Sequence, residues 1–271
     1  MTRRALGLPL LATLAACRRE LSGPAVVDRG QGRVQYLLDV EHLEDTPSRE
    51  KTITHVLGFN PGTIAVDASV AAYFPDRDPV RFAWQVPAGQ PREMTTDTPP
   101  LAGARRCALR FETNGPLTLQ TTVGWTNTLG DYTPRAATAG GTPQQEAARA
   151  SGAARVLSTH LSHTDSIILD DPKSLWIRED EQLLVLNPGP RPAALVLHLL
   201  SGRKNVRVPL EVAAKRLGHW PVAPFVTRKN RLHGVSLRSS VPVAAQWIRT
   251  VYHISRPAPM AFWSLPLVPV E

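Results

Sequence analysis

Cysteine is nearly absent: 271 residues contain two, Cys17 and Cys107. No disulfide framework can hold this fold, so a hydrophobic core has to, and a chain of 29.6 kDa is long enough for one large sandwich or two ordinary domains. Two domains is the expectation. Long runs of one charge are missing as well. The 31 basic and 23 acidic residues leave a formal +8, but the basic residues are dispersed and no aromatics interleave with them as stacking platforms. A solvated basic surface is expected, with no nucleic-acid partner. Also missing are Gly-x-Ser-x-Gly, a phosphate-binding glycine loop with lysine, and His-Glu-x-x-His. Nothing demands catalysis, and no cofactor is expected. Long amphipathic helices are lacking too, as 25 prolines scattered among β-branched runs would require.

What is present begins with MTRRALGLPLLATLAAC. Arg3 and Arg4 form a basic n-region, and Ala5 to Ala16 is apolar but too short to span a bilayer as a helix. The stretch closes in Leu14-Ala15-Ala16-Cys17, a Leu-small-small-Cys pattern resembling the lipobox of bacterial lipoproteins. Residues 1–17 are therefore expected to be a lipoprotein signal, with Cys17 the lipidated first residue of an exported, membrane-anchored chain and 18–32 a tether. A non-lipid secretory signal or a frayed helix are the plainer readings. Arg18-Arg19 would reinforce attachment to anionic headgroups. With Cys17 acylated, Cys107 in RRCALRF stands alone and reads as a small buried hydrophobe.

The rest of the chain repeats. Asn60-Pro61-Gly62 recurs as Asn187-Pro188-Gly189, at an offset of 127. Val80-Arg81 matches Val206-Arg207, Val86-x-Ala88 matches Val212-x-Ala214, and Pro116-x-x-x-Gln120 matches Pro242-x-x-x-Gln246, all at an offset of 126. The lost residue falls at hairpin turns, Asp76-Arg77-Asp78 against Gly202-Arg203-Lys204, where a change of length is tolerated. Apolar and polar residues alternate over four to eight positions between Pro, Gly, Asn and Asp, the pattern of short antiparallel strands. The expected fold is all-β: two tandem antiparallel β-sandwich or jelly-roll-like domains. Asn-Pro-Gly reads as a turn after the second strand of each copy. Copy one is expected over 33–163, with a flexible insertion at 127–154 in which AARASGAA allows a short helix, and with RVLSTHLS at 155–162 as its closing strand. Copy two is expected over 164–271.

Copy two carries LWIRE around Trp176, Asn187-Pro188-Gly189, Val212-Ala213-Ala214, Val241-Pro242-Val243-Ala244-Ala245-Gln246, Arg249 and FWSLPL. In that order these resemble the sensory rhodopsin transducer family over nearly all of 164–271. Copy one keeps Asn60-Pro61-Gly62, Val86-Pro87-Ala88, Pro116 and Gln120 but has Val123 where the family's arginine stands. The resemblance implies small β-sandwiches that bind a small molecule, with sugars the favoured ligand, rather than an enzyme. An exported lipoprotein is no cytoplasmic transducer, so binding is the part that carries over.

Sugar recognition asks for an aromatic platform beside fixed donors and acceptors. Gln246, Trp247, Arg249 and Tyr252 offer these on one strand, with Trp247 and Arg249 sharing a face. Trp247 as core and Arg249 as a surface charge is the structural alternative. Trp125 and Asn127 hold the comparable place in copy one, and Trp220 and Trp263 read as packing. No metal site is expected. His160-x-x-His163-x-Asp165 puts its imidazoles on opposite faces of a strand, and Asp76-x-Asp78 and Asp170-Asp171 read as turn acids. The function expected is binding of a small molecule or glycan without turnover. The other reading is a structural protein that docks onto an envelope partner through its sheet edges or the 127–154 loop.

Overall fold

The computed structural model describes residues 33–43, 50–103, 105–127, 149–152, 157–163, 177–200, 205–225, 234–253 and 259–270. The signal, Cys17 and the tether lie outside these. Among the described residues the chain is β throughout, apart from one 3-10 turn at Ala223–Phe225. Sixteen strands form two eight-stranded antiparallel sheets, each curled into two layers. Two similar all-β sandwiches are the result.

Copy one contains β1 (Arg33–Leu43), β2 (Glu50–Phe59), β3 (Val66–Tyr73), β4 (Val80–Val86), β5 (Pro91–Thr95), β6 (Arg106–Thr113), β7 (Thr118–Asn127) and β8 (Arg149–Gly152). One layer, sheet A, has the order β4-β3-β6-β1; the other, sheet B, places β2 between β5 and β7, with β8 beyond β7. A register shift between Leu37 and Val40 lets β1 run along β6 and still reach β2 at its end. Copy two contains β9 (Ser158–His163), β10 (Ile177–Asn187), β11 (Ala193–Leu200), β12 (Val206–Val212), β13 (Arg216–Pro221), β14 (Gly234–His253), β15 (Pro259–Pro266) and β16 (Val268–Pro269). Sheet C joins β12, β11, the first half of β14, β9 and β16. Sheet D joins β13, β10, the second half of β14 and β15.

Strand register proves the repeat. Ala68 pairs with Trp84 and Thr113, and Leu195 pairs with Leu210 and Ser239. Leu57 pairs with Glu93 and Gln120, and the residues 127, 126 and 126 positions further on, Leu184, His219 and Gln246, pair in the same way. The chain loses its one residue in the β3–β4 hairpin, as the sequence indicates.

Two expectations need correcting. The segment expected to close copy one, 155–162, holds β9, which pairs with β14 at Leu161↔Leu237, just as β1 pairs with β6 at Gln35↔Phe111. It is the first strand of copy two, so that copy begins before residue 164. The closing strand of copy one lies inside the expected insertion, where β8 pairs Gly152 with Gln120 as β15 pairs Pro266 with Gln246. Residues 149–152 of AARASGAA are accordingly strand and not helix.

Each sandwich buries its own core. Leu37, Val56, Val70, Trp84, Cys107, Leu109 and Phe111 fill the first, with the Trp84 and Phe111 rings tilted at 5.7 Å. Gly58 has no side chain because the Trp84 indole occupies the place of a Cβ. Burial pushes the Cys107 thiol up to about 12, so this sulfur is a core atom and not a thiolate. In copy two Leu183, Val185, Leu197, Leu237 and Trp247 do the equivalent work.

A third apolar cluster joins the copies. Tyr36, Leu38, Ala71, Tyr73 and Ala108 from the outer face of sheet A pack with Leu184, Leu186, Leu217, Ala244 and Ile248 from the outer face of sheet D. The Leu217 N–H donates to the Phe74 carbonyl at 3.2 Å across this contact. Arg216 also reaches Asp78 at 2.9 Å, but Asp78 is so exposed that the pair adds little.

Asn-Pro-Gly is a turn, and its asparagine does more than turn the chain. Asn60 is fully buried; its Nδ2 donates to the Ile64 carbonyl at 2.7 Å and the Val86 carbonyl at 3.2 Å, while Oδ1 accepts from the Gly62 N–H at 2.8 Å. Asn187 repeats this with Arg191, Val212 and Gly189 at 2.8, 3.3 and 3.1 Å. Each amide thereby ties the end of a strand in one layer to the end of an edge strand in the other. Replacing Asn60 by alanine removes one buried and two half-buried hydrogen bonds, for which about 3 kcal/mol is expected. Urea unfolding of Asn60→Ala should show that loss as a lower midpoint with an unchanged slope.

Candidate functional site

Of the residues singled out for sugar binding, Gln246, Trp247 and Arg249 are all buried. Trp247 is 4% exposed in the second core, so its ring has no free face for a pyranose. Arg249 shares that inner face and is 7% exposed; its Nε lies 3.8 Å from Oε1 of Glu181, the residue opposite it on β10. Neither a stacking platform nor a surface charge describes these two. Gln246 points the other way, is 1% exposed, and stands between Ala244 and Ile248 on the face that meets copy one. Tyr252 pairs with Arg178 and Trp125 with Thr52 in the ladders, and Asn127 ends β7 opposite Glu50. The side chains of Tyr252, Trp125 and Asn127 lie outside the described residues. Trp220 packs against the second core.

His160 shares a hydrogen bond with Ser236 at 3.0 Å. The side chain of His163, together with Asp165, Asp170 and Asp171, is outside the described residues. Among the described residues no three His, Cys, Asp or Glu side chains gather as metal ligands.

What the structure offers instead is a shallow trough of about 650 Å³ on the outer face of sheet A. Copy two covers one end of that face, at Ala71, Tyr73 and Ala108. Further along the same strands, β3 contributes Asp67 and Ser69, β4 contributes Arg81 and Ala83, and β6 contributes Glu112, followed by Asn114. Ser69 sits in the middle, paired with Ala83 on one side and Glu112 on the other. Asp67, Asn114 and Glu112 are held in place. Gln85 Nε2 donates to Asp67 Oδ1 at 2.8 Å, the Asp67 N–H donates to Asn114 Oδ1 at 2.9 Å, and Arg110 pairs with Glu112 at 3.0 Å. Two carboxylates, a guanidinium, a hydroxyl and an amide thus project from one rigid face, a mixed set of donors and acceptors suited to a hydroxyl-rich ligand.

The repeat contained a signal for this site. At the aligned positions copy two has Ala194, Val196, Pro209 and Arg238 for Asp67, Ser69, Ala83 and Glu112. At these outer positions the copies part company, although Arg81 keeps its counterpart in Arg207.

A second polar group lies where the copies meet. Glu41 and the half-buried Arg106 form an ion pair at 3.0 Å, and the Glu41 carbonyl accepts from Thr54 Oγ1 at 2.8 Å and Thr96 Oγ1 at 3.3 Å. Across from them His219 Nε2 bonds Gln182 Oε1 at 2.7 Å, which makes Nε2 the protonated nitrogen of a neutral ring, and Gln182 Nε2 donates to Asp180 at 2.6 Å. Burial, then the Arg106 charge, hold the His219 imidazolium down to about 4, against the opposing pull of Glu41.

No family model matches this chain, and no curated protein matches it.

Two expectations follow from these geometries. Arg249→Ala should cost about 3 kcal/mol in urea unfolding by leaving Glu181 buried without that cation. For His219 the folded pKa lies below the unfolded one, so the unfolded chain binds the extra proton, and stability is complete above about pH 6.5 and declines as pH falls toward 4. His219→Gln should shrink the stability difference between pH 7 and pH 4.5 by about 2 kcal/mol.

Proposed function

We propose that this chain is an exported, lipid-anchored and non-catalytic binding protein of the bacterial envelope, whose first sandwich holds a small polar molecule, a carbohydrate, in the trough on sheet A. The observation that carries the reading is the trough itself: about 650 Å³, within the range of ligand sites, with polar groups on three adjacent strands. Phe82 is the one aromatic in its lining and is half-buried, so recognition would rest on hydrogen bonds to hydroxyls more than on stacking. Export and anchoring rest on the Arg3-Arg4, apolar and Leu-Ala-Ala-Cys17 sequence. The resemblance of copy two to the sensory rhodopsin transducer family supports binding as the role of the sandwich. A partner protein is the second reading, favoured by the open edge of sheet A described below.

The test is a thermal-shift panel of neutral sugars, sugar acids and polyols on the folded chain, repeated with Ser69→Trp, which fills the trough from an exposed position. A ligand at a hundredfold its Kd adds about 2.7 kcal/mol to the folded state. A rise of several degrees with one sugar class, lost in Ser69→Trp, is expected; no rise across the panel would overturn the trough as a sugar site.

A further inference from the structure

Edge strands are templates for pairing, and proteins block them with proline, brevity or charge. Among the described residues this chain blocks nearly every one. β5 begins at Pro91, β12 carries Pro209 at its centre, β13 ends at Pro221, β15 has Pro259 and Pro266, β16 contains Pro269, and β8 is four residues long. At one margin of sheet A, β1 has no proline but is buried from Gln35 to Glu41; the open exception is β4 at the other margin, seven residues reading VRFAWQV.

The repeat shows which of its backbone groups face outward. Pro209 pairs with Val196 and lacks an N–H, so that pair is of the non-hydrogen-bonded kind and its backbone groups face the open side. Ala83, 126 residues earlier, occupies the same register position opposite Ser69. Two further observations agree. The Asp67 N–H points away from β4 to Asn114, which makes Asp67↔Gln85 a pair of the same kind, and the outward Gln85 carbonyl accepts from Arg92 Nη1 at 2.7 Å. By the period of two, the N–H and C=O of Arg81 and Ala83 face outward as well. The side chains beside them are graded: Val80 is 42% exposed and Phe82 half-buried against the core, while Arg81 stands on the outer face.

We propose that β4 is an acceptor edge for an extended strand of a partner protein, which joins sheet A by backbone hydrogen bonds at Arg81 and Ala83. The strand it fits is amphipathic. Its inward residues are apolar and cover Val80 and Phe82, and an outward acid faces Arg81. Copy two cannot take such a strand at the equivalent edge, because Pro209 offers no donor and clashes with a partner there.

The experiment uses the folded chain and a synthetic eight-residue peptide alternating valine and threonine, with one glutamate on the threonine face. Amide hydrogen exchange at Arg81 and Ala83 should slow at least tenfold with millimolar peptide. Binding should weaken at least tenfold when alternate peptide nitrogens are methylated, a change that leaves the protein untouched. It should weaken as much in Ala83→Pro, whose fold is checked by its thermal midpoint, and Arg81→Glu should reverse the preference from the glutamate peptide to a lysine peptide. Protection at another edge, or equal binding of the methylated peptide, would overturn the proposal. A sugar that binds the trough without slowing exchange at Arg81 and Ala83 keeps this surface distinct from the proposed sugar site, and the two succeed or fail separately.

Discussion

Everything in each sandwich depends on one buried amide. Two β-sheets packed face to face are held together by apolar contact, which is strong but non-directional and leaves the layers free to slide. Asn60 and Asn187 remove that freedom by hydrogen-bonding across the layers, from the end of β2 to the end of β4 and from the end of β10 to the end of β12. The flanking residues serve the same purpose. Proline restricts the asparagine before it to extended backbone, and the glycine supplies the N–H that the amide oxygen accepts. The return of the chain is fixed in equivalent fashion, with Gly89 and Lys215 both in the left-handed region at φ values of 63° and 56°. A lysine in that conformation is strained by about 1 kcal/mol, which the surrounding bonds of the turn overcome.

Duplication set a second constraint. Two identical sandwiches joined in tandem would expose four polar outer faces, and two of those here have become apolar and sealed each other. The strands involved no longer alternate: Leu183–Leu186 and Val243–Ile248 are buried at every position, as strands covered on both sides must be. Burial on both sides also explains the polar cluster at this seam. A histidine, a glutamine and an ion pair with little access to water satisfy their partners within the seam, and the imidazole stays neutral because burial and Arg106 disfavour its charge.

The sequence made the inner architecture legible and the outer faces obscure. Offsets of 127 and 126 follow from register, which cannot slip by one residue without turning the core outward, so inner positions of both copies kept their spacing. The closing strand of copy one misled because RVLSTHLS is a short, apolar-alternating run, and composition of that kind carries no address. The offset of 126 from β1 to β9 was the better guide. Trp247 and Arg249 looked like a binding pair because they share a face, and parity along a strand does not say whether that face looks to solvent or to a second layer. Apolar runs such as LLVL and VAAQWI, the second broken by Gln246 alone, were the available sign that no free face remained on those strands.

The two copies therefore differ along lines that burial dictates. Copy two gave the outer face of sheet D to the seam and placed proline on the edge of sheet C, which leaves its inner residues, Trp247 included, to stability alone. Copy one gave up only part of the outer face of sheet A. What remained uncovered kept Asp67, Ser69 and Glu112 in place of the Ala194, Val196 and Arg238 of its sister, together with an edge free of proline. Since the fold requires nothing of exposed positions beyond solubility, a cluster of ordered acids, amide and guanidinium on a sheet already tied down by Asn60 is where selection for binding has room to act. A rigid second sandwich then has a physical use of its own: it fixes one end of sheet A, and with it the geometry of the groups projecting from the other.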